Sequence, residues 1–256
     1  MLEGIRVVEY ATYMAAPGAG AILSDWGAEV IKIEPPGGDP IRGFFATIGT
    51  DIEDNPFFDF DNRGKKSVVI DTSQEAGQAL VRDLAADADV FLTNVRPGGL
   101  TRSGLDYDSL KALNPRLVYC SLTGYGLDGP DADKPGFDVA SFWSRSGVAH
   151  ATLPKGTDPF PIRTAFGDHV TSISAAAGIC AALVEAKTTG NGRLVEASLL
   201  RTALYAIGSD LAIQLFFGRL ASTKPREDQM VPIMNFFRSS DEAWICVVAR
   251  QGNSDW

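Results

Sequence analysis

The sequence predicts an α/β protein: a large domain built on a parallel sheet, followed by the start of a smaller α+β domain. Two observations carry the expectation. The first half alternates short β-branched runs with helical stretches, which is the signature of βαβ units. After Leu220 the chain passes through the polar A-S-T-K-P-R-E-D-Q to a strand-like Trp244 to Ala249, a change of character that places a domain boundary near Thr223. The expected domains are therefore 1–222, with a Rossmann-like order of elements, and 223–256, with the second expected to continue beyond Trp256.

The strands are expected at Ile5 to Val8, Val30 to Ile33, Val68 to Ile70, Val90 to Thr93 and Leu117 to Leu122. Between them Gly18 to Trp26, Ser73 to Ala86 and Tyr107 to Leu113 suit helices, the second capped by Ser73 and the third ended by Asn114-Pro115. Two further helices are expected, Val170 to Lys187, stopped by Gly190-Asn191-Gly192, and Ala197 to Phe217. From Pro35 to Asn62 the composition shifts to Pro, Gly, Asp and Phe without periodicity. A connection of that length in a compact domain usually serves a ligand.

Composition narrows the partners. With 23 Lys and Arg against 32 Asp and Glu, the formal charge of -9 opposes nonspecific nucleic-acid binding. Glu3, Arg6 and Glu9 interrupt the first ten residues, so the start lacks the basic end and apolar centre of a signal peptide. No uncharged run reaches the roughly 20 residues of a membrane span, and a cytoplasmic protein with no membrane partner is expected. Cys120, Cys180 and Cys246 lie far apart with no C-x-x-C spacing, so they read as buried thiols, and no metal site is expected.

Several motifs each leave two readings open. Pro17-Gly18-Ala19-Gly20 opens a helix after the first strand, but Leu23 stands where a dinucleotide fingerprint needs its third glycine. Close helix packing is preferred, and neither nicotinamide nor flavin is expected. Asn94-Val95-Arg96-Pro97-Gly98 follows the strand Val90 to Thr93 at the end where open α/β sheets bind ligands. Arg96 and Arg102 flank a short helix there, and either belong to a surface turn or hold a phosphate. Arg63, Lys65 and Lys66 form the densest basic cluster, either a solvated face or a phosphate contact. Gly167-Asp168-His169 precedes the helix expected from Val170, and Asp168 suits two roles equally. It can cap the helix, or act as a nucleophile kept ionised by the helix end.

Taken together, the segments resemble the class III CoA-transferase family, which includes formyl-CoA transferase, crotonobetainyl-CoA transferases and α-methylacyl-CoA racemases. The resemblance runs from Gly4 to Trp256. It rests on the order of G-I-R-V-V-E-Y with A-A-P, W-G-A-E-V-I-K-I-E-P-P-G-G-D-P-I-R, D-N-R-G-K-K-S, N-V-R-P-G, N-P-R-L-V-Y-C-S-L-T-G-Y-G, P-G-F-D, F-G-D and N-F-F-R-S-S-D-E-A-W. It implies that Asp168 is the nucleophilic aspartate. It also implies that Asn94, Val95, Arg96 and Arg102 hold coenzyme A, with Tyr13 and Ile70 lining its pantetheine and adenine parts. Pro35 stands where formyl-CoA transferase has a CoA-binding arginine, so the adenosine-phosphate contacts must differ, and the Arg63, Lys65, Lys66 cluster is a candidate substitute.

The activity implied is transfer of coenzyme A from an acyl-CoA donor to a carboxylic acid acceptor, by way of aspartyl anhydride and aspartyl-CoA intermediates, in an interlocked homodimer. In the racemases a histidine stands within the segment that reads P-G-F-D here. Phe137 cannot transfer a proton, which disfavours that alternative. A noncatalytic CoA-binding protein is the remaining reading, should Asp168 only cap its helix. Phe137, Phe142 and Trp143 would suit a larger, partly apolar acyl group, or would simply be core.

Overall fold

The computed structural model describes residues 1–50, 52–229 and 234–249. The parts of the second expected domain at 230–233 and 250–256 lie outside the described residues. Six parallel strands form one sheet: β1 (Arg6–Tyr10), β2 (Glu29–Glu34), β3 (Lys66–Val69), β4 (Val90–Thr93), β5 (Val118–Thr123) and β6 (Leu194–Ser198), in the order β3-β2-β1-β4-β5-β6. β7 (Met234–Arg238) and β8 (Trp244–Val248) pair antiparallel as a separate two-stranded sheet. The α/β class and the parallel sheet are as the sequence predicts.

The helices are α1 (Ala15–Asp25), α2 (Phe44–Thr47), α3 (Pro56–Asn62), α4 (Glu75–Ala86), α5 (Pro97–Ser103), α6 (Tyr107–Leu113), α7 (Val148–Thr152), α8 (Phe166–Thr189), α9 (Leu199–Ala206) and α10 (Gly208–Phe217). A π-helical segment spans Asp138–Arg145. Alternate strand side chains point to opposite faces of the sheet. Val7, Val90, Leu92 and Val118 face α1 and α8, packing on Ala16, Ala19, Ala176 and Ile179. Val8, Ile33, Phe91 and Tyr119 face the other layer, with Val81 of α4, Leu100 of α5 and Leu110 of α6. Both faces are buried at the central β4 and β5, which is why these two strands read as nearly continuous apolar runs.

Four expectations change. Residues 197–217 are not one helix: Ala197 and Ser198 end β6, the Ser198 hydroxyl caps α9 by accepting from the Arg201 amide at 3.2 Å, and α10 starts separately at Gly208. Ser73 does not cap α4; its hydroxyl donates to Asp71 at 2.6 Å, and Gln74 stands at the cap position. α8 begins at Phe166, one turn earlier than Val170. Cys120 is buried as expected, with burial pushing its thiol up to about 12, whereas Cys246 on β8 is exposed.

Length and composition alone would let α8 cross a membrane, a point that counting uncharged runs misses. Here it packs against α1 and the sheet, burying Thr171, Ser172, Ala175, Ala176 and Ile179. It serves as a core helix.

Candidate active site

The sheet order reverses between β1 and β4, so the loops leaving their carboxyl ends diverge and leave a crevice. A cavity of about 370 Å³ occupies this crevice. Tyr13, Asn94, Val95, Arg96 and Asp168 all line it, together with Met14, Lys134 and Phe137. The structure does not bring the other two expected ligand residues there. Ile70 is 7% exposed and packs in the core with Val8 and Phe91. Arg102 is exposed on the last turn of α5, outside the cavity lining. A larger hollow of about 680 Å³ lies beside Trp143, Phe160 and Pro154, away from Asp168, so volume does not select the site.

The cavity walls are fixed by side chains that reach across the fold. Asn94 accepts from the Thr12 amide at 3.0 Å and donates to the Thr12 carbonyl at 2.7 Å, tying the loop after β4 to the loop after β1. Both ends of its amide are thus occupied by backbone. Tyr13 takes the left-handed conformation, φ 65°, which is uncommon for a residue with a side chain. Asp39 stabilises it by accepting from the Tyr13 amide at 3.1 Å. The Tyr13 ring then meets the Phe137 ring edge to face, centroids 6.1 Å apart, and both rings remain substantially exposed.

Asp39 belongs to a buried charge network beneath that loop. Lys32 reaches Asp39 at 2.8 Å and Glu9 at 3.1 Å, and Lys65 reaches the other oxygen of Glu9 at 2.7 Å. All four side chains are 2% exposed or less. Burial depresses Lys32, but Glu9 and Asp39 outweigh it and hold the ammonium above its usual range; burial prevails at Lys65, which sits lower. Gly20 makes room for the cluster, because a Cβ there would stand 2.0 Å from the Glu9 carboxylate. The small residues of Pro17-Gly18-Ala19-Gly20 therefore serve close packing around an ion cluster. Of Arg63, Lys65 and Lys66, only Lys65 is buried, paired with Glu9; Arg63 and Lys66 pair with Asp25 and Glu29 on the surface, and none of the three lines the cavity.

Asp168 occupies the first turn of α8, but Ala165, with φ 59°, holds the cap position, so Asp168 is not the cap. The helix end does not keep its carboxyl in the ordinary range either. Burial, then the nearby Asp138 carboxylate, push it up to about 7, while His169 pulls the other way. Asp138, on the π-helical segment, accepts from the Gly167 amide at 3.1 Å, and its own carboxyl is raised chiefly by burial. Only glycine fits at 167, since a Cβ would lie 2.4 Å from Asp138 and 2.3 Å from the Phe142 ring. Among the described residues no donor reaches the second Asp138 oxygen.

Sequence reasoning missed Asp138, Met14 and Lys134. Asp138 lies in P-G-F-D, where attention to Phe137 passed over it. Phe142 and Trp143 are core, 2% and 8% exposed, so Phe137 alone of the three aromatic candidates faces the cavity.

Arg96 stands at the N-cap position of α5 beside the cavity, exposed and without an ion pair among the described residues. If the coenzyme A that the sequence resemblance implies binds in this cavity, Arg96→Ala is expected to weaken its binding by about 1.5–3 kcal/mol, the range for a hydrogen bond to a charged group, and Arg102→Ala by less. Calorimetric titration checks the order. Equal losses would place the phosphates along α5 instead of at its start.

An open parallel sheet with an acidic side chain and an arginine at its switch point defines an α/β domain with a crevice at the carboxyl edge, the place where such sheets bind ligands. The chain belongs to CoA-transferase family III, whose sequence model matches residues 2–255. It is 39% identical to (R)-2-hydroxy-4-methylpentanoate CoA-transferase of Clostridioides difficile, over 99% of this chain and 63% of that protein. It is 40% identical to cinnamoyl-CoA:phenyllactate CoA-transferase of Clostridium sporogenes, over 96% of this chain and 61% of that one. A CAIB/BAIF family protein from Brucella suis superposes with TM-score 0.86 at 34% identity, covering 97% of this chain and 66% of that one. The chain thus spans about three fifths of the length of these curated relatives.

Proposed function

We propose that the protein moves coenzyme A from an acyl-CoA thioester to a carboxylic acid, with Asp168 as the covalent carrier. The observation that carries this reading is the Asp168 carboxyl, raised to about 7, in a cavity that also presents Arg96. Such a group is about half ionised at neutral pH, and a poorly solvated carboxylate is a stronger nucleophile than one in water.

An Asp168 oxygen attacks the donor carbonyl carbon, the carbon–sulfur bond breaks, and CoA leaves as thiolate. The thiolate attacks the Asp168 carbonyl of the mixed anhydride, releasing the donor acid and leaving an aspartyl-CoA thioester. The acceptor carboxylate attacks that thioester, again expelling thiolate, and forms a second anhydride. Attack of the thiolate on the acceptor's acyl carbon restores Asp168. One thioester replaces another, so no nucleotide triphosphate is consumed. At the start of α8 the Phe166, Gly167 and His169 amides already donate to Arg163, Asp138 and Ala165, which leaves the Asp168 amide suited to donate to an oxyanion.

The acceptor we infer is a 2-hydroxy acid with a branched or aromatic side chain. The relatives named for 2-hydroxy-4-methylpentanoate and phenyllactate support this, as does the exposed Tyr13–Phe137 pair at the cavity. A cytoplasmic homodimer belongs to the same reading. Leu215, Phe216 and Phe217 of α10, 85%, 82% and 67% exposed, support a further surface covering that helix.

Full-length enzyme incubated with an acyl-CoA and a panel of free acids is expected to form new acyl-CoA only when both are present, with apolar 2-hydroxy acids preferred. In deuterated water the α-carbon of a chiral 2-methylacyl-CoA should keep its proton, because Phe137 supplies no base. Deuterium uptake without acceptor acid would replace the transferase reading with racemisation.

A further inference from the structure

Asp61 and His169 take no part in the chemistry above. Asp61, on α3, is 2% exposed, and its Oδ1 lies 3.1 Å from Nε2 of His169 on the first turn of α8. Among the described residues, no other group hydrogen-bonds to the Asp61 carboxylate. The Phe60 ring lies against the imidazole, centroids 5.1 Å apart. His169 opens on a hollow of about 290 Å³ that shares Met14 with the Asp168 cavity. A buried carboxylate is strongly unfavourable without a cationic or donating partner. Its charge therefore favours the imidazolium form of His169, the residue that follows Asp168.

We propose that Asp61 and His169 form a positioning pair: buried Asp61 keeps His169 cationic, and that charge beside the nucleophile holds a larger share of Asp168 in its reactive carboxylate form near neutral pH. The inference rests on Asp168 being the nucleophile.

The other charges around the pair act in known directions. Asp138, on the π-helical segment, raises Asp168, and Asp61 raises it weakly by itself. Lys65 spends its ammonium on Glu9, Asn62 and the Pro17 carbonyl instead of Asp61. The hydrogen bond from Asp61 is the leading cause that lifts His169, ahead of its burial, which opposes. At Asp168 the attraction to His169 exceeds the direct repulsion from Asp61, so the pair as a whole favours ionisation.

The test is the pH profile of intermediate formation in full-length enzyme, measured in single turnover with an acyl-CoA donor between pH 5.5 and 8.5. His169→Gln is expected to move the acid limb up by about half a pH unit or more, a roughly threefold deeper loss of rate at pH 6 than at pH 8. Asp61→Asn should move it in the same direction by less, because it also removes a weak repulsion. His169→Lys should leave the limb within about 0.2 unit of wild type, since it keeps a cation there.

A His169→Gln profile lowered equally at all pH values would overturn the proposal, as would a His169→Lys limb displaced as far as that of His169→Gln. If His169→Gln does not fold, the Asp61→Asn limb decides alone, and an unmoved limb refutes the pairing. Turnover retained by Asp168→Asn would instead remove the nucleophile reading itself. An inactive Asp168→Asn with an unmoved His169→Gln limb would remove only this inference.

Discussion

Asp168→Asn is expected to lower transfer by about four orders of magnitude or more, since no intermediate can form without the carboxylate, while CoA binding persists. Hydroxylamine added during turnover should attack the activated Asp168 carbonyl, release CoA or the acid, and leave Asp168 as a hydroxamate in the wild type and nothing in the variant. The same substitution should stabilise the fold. In the native state Asp168 titrates near 7, above its usual 3.8. Stability is therefore fully present below the unfolded value and is lost as pH rises from about 4 through 7. Asn carries no charge, so its advantage should be largest above pH 7, at most about 4 kcal/mol for a shift of this size, and should vanish near pH 4. Thermal unfolding of both proteins from pH 4 to 8 measures it. Near-normal turnover, or a stability difference independent of pH, would contradict the assignment or the environment respectively.

Glu9→Gln is expected to cost about 3–5 kcal/mol, because one carboxylate serves two buried ammonium groups and its loss leaves both undercompensated. Lys32 keeps Asp39, whereas Lys65 keeps only neutral oxygens from Pro17 and Asn62. The loss should therefore shrink as pH rises, because burial already holds the Lys65 ammonium below its usual range and lets it shed its proton sooner. Replacing all four charged members, Glu9, Lys32, Asp39 and Lys65, together by apolar residues of similar volume should cost less than Glu9→Gln alone, because no buried charge is then left without its partner. Urea unfolding checks both statements, and a loss under about 1 kcal/mol would mean that water reaches the cluster. Asp39 also holds the Tyr13 amide, so Glu9→Gln should in addition weaken acyl-CoA binding.

Most of the sheet was legible. β4 falls at Val90–Thr93 as expected, and β1, β2, β3 and β5 are displaced by one or two residues at their ends. A strand buried on both faces is a local run of apolar side chains, and such runs stand out in one dimension. β6 escaped because Leu194–Ser198 carries Glu196 and continues directly into α9, so its pattern merged with the helix that follows. The connection from Pro35 to Asn62 folds into the short helices α2 and α3 and contributes the acidic Asp39 and Asp61 to the region of the site, but its lack of periodicity gave no hint of these helices or of which residues turn inward.

By itself the sequence determined the parallel α/β class, the position of Asp168 at the head of a long helix, and the family, because these depend on local periodicity and on the order of segments. The tertiary structure decided how the charges pair and what surrounds the nucleophile. The partners lie far apart along the chain: Glu9 and Lys32 are separated by 23 positions, Thr12 and Asn94 by 82, Asp61 and His169 by 108. The same basic residues read as a solvated face or a phosphate site until folding places Asp25, Glu9 and Glu29 against them. Asp168 reads as an ordinary helix-end carboxylate until Asp138 is brought near and water is withdrawn. Desolvation and through-space charge depend on distance in three dimensions, and spacing along the chain does not encode them.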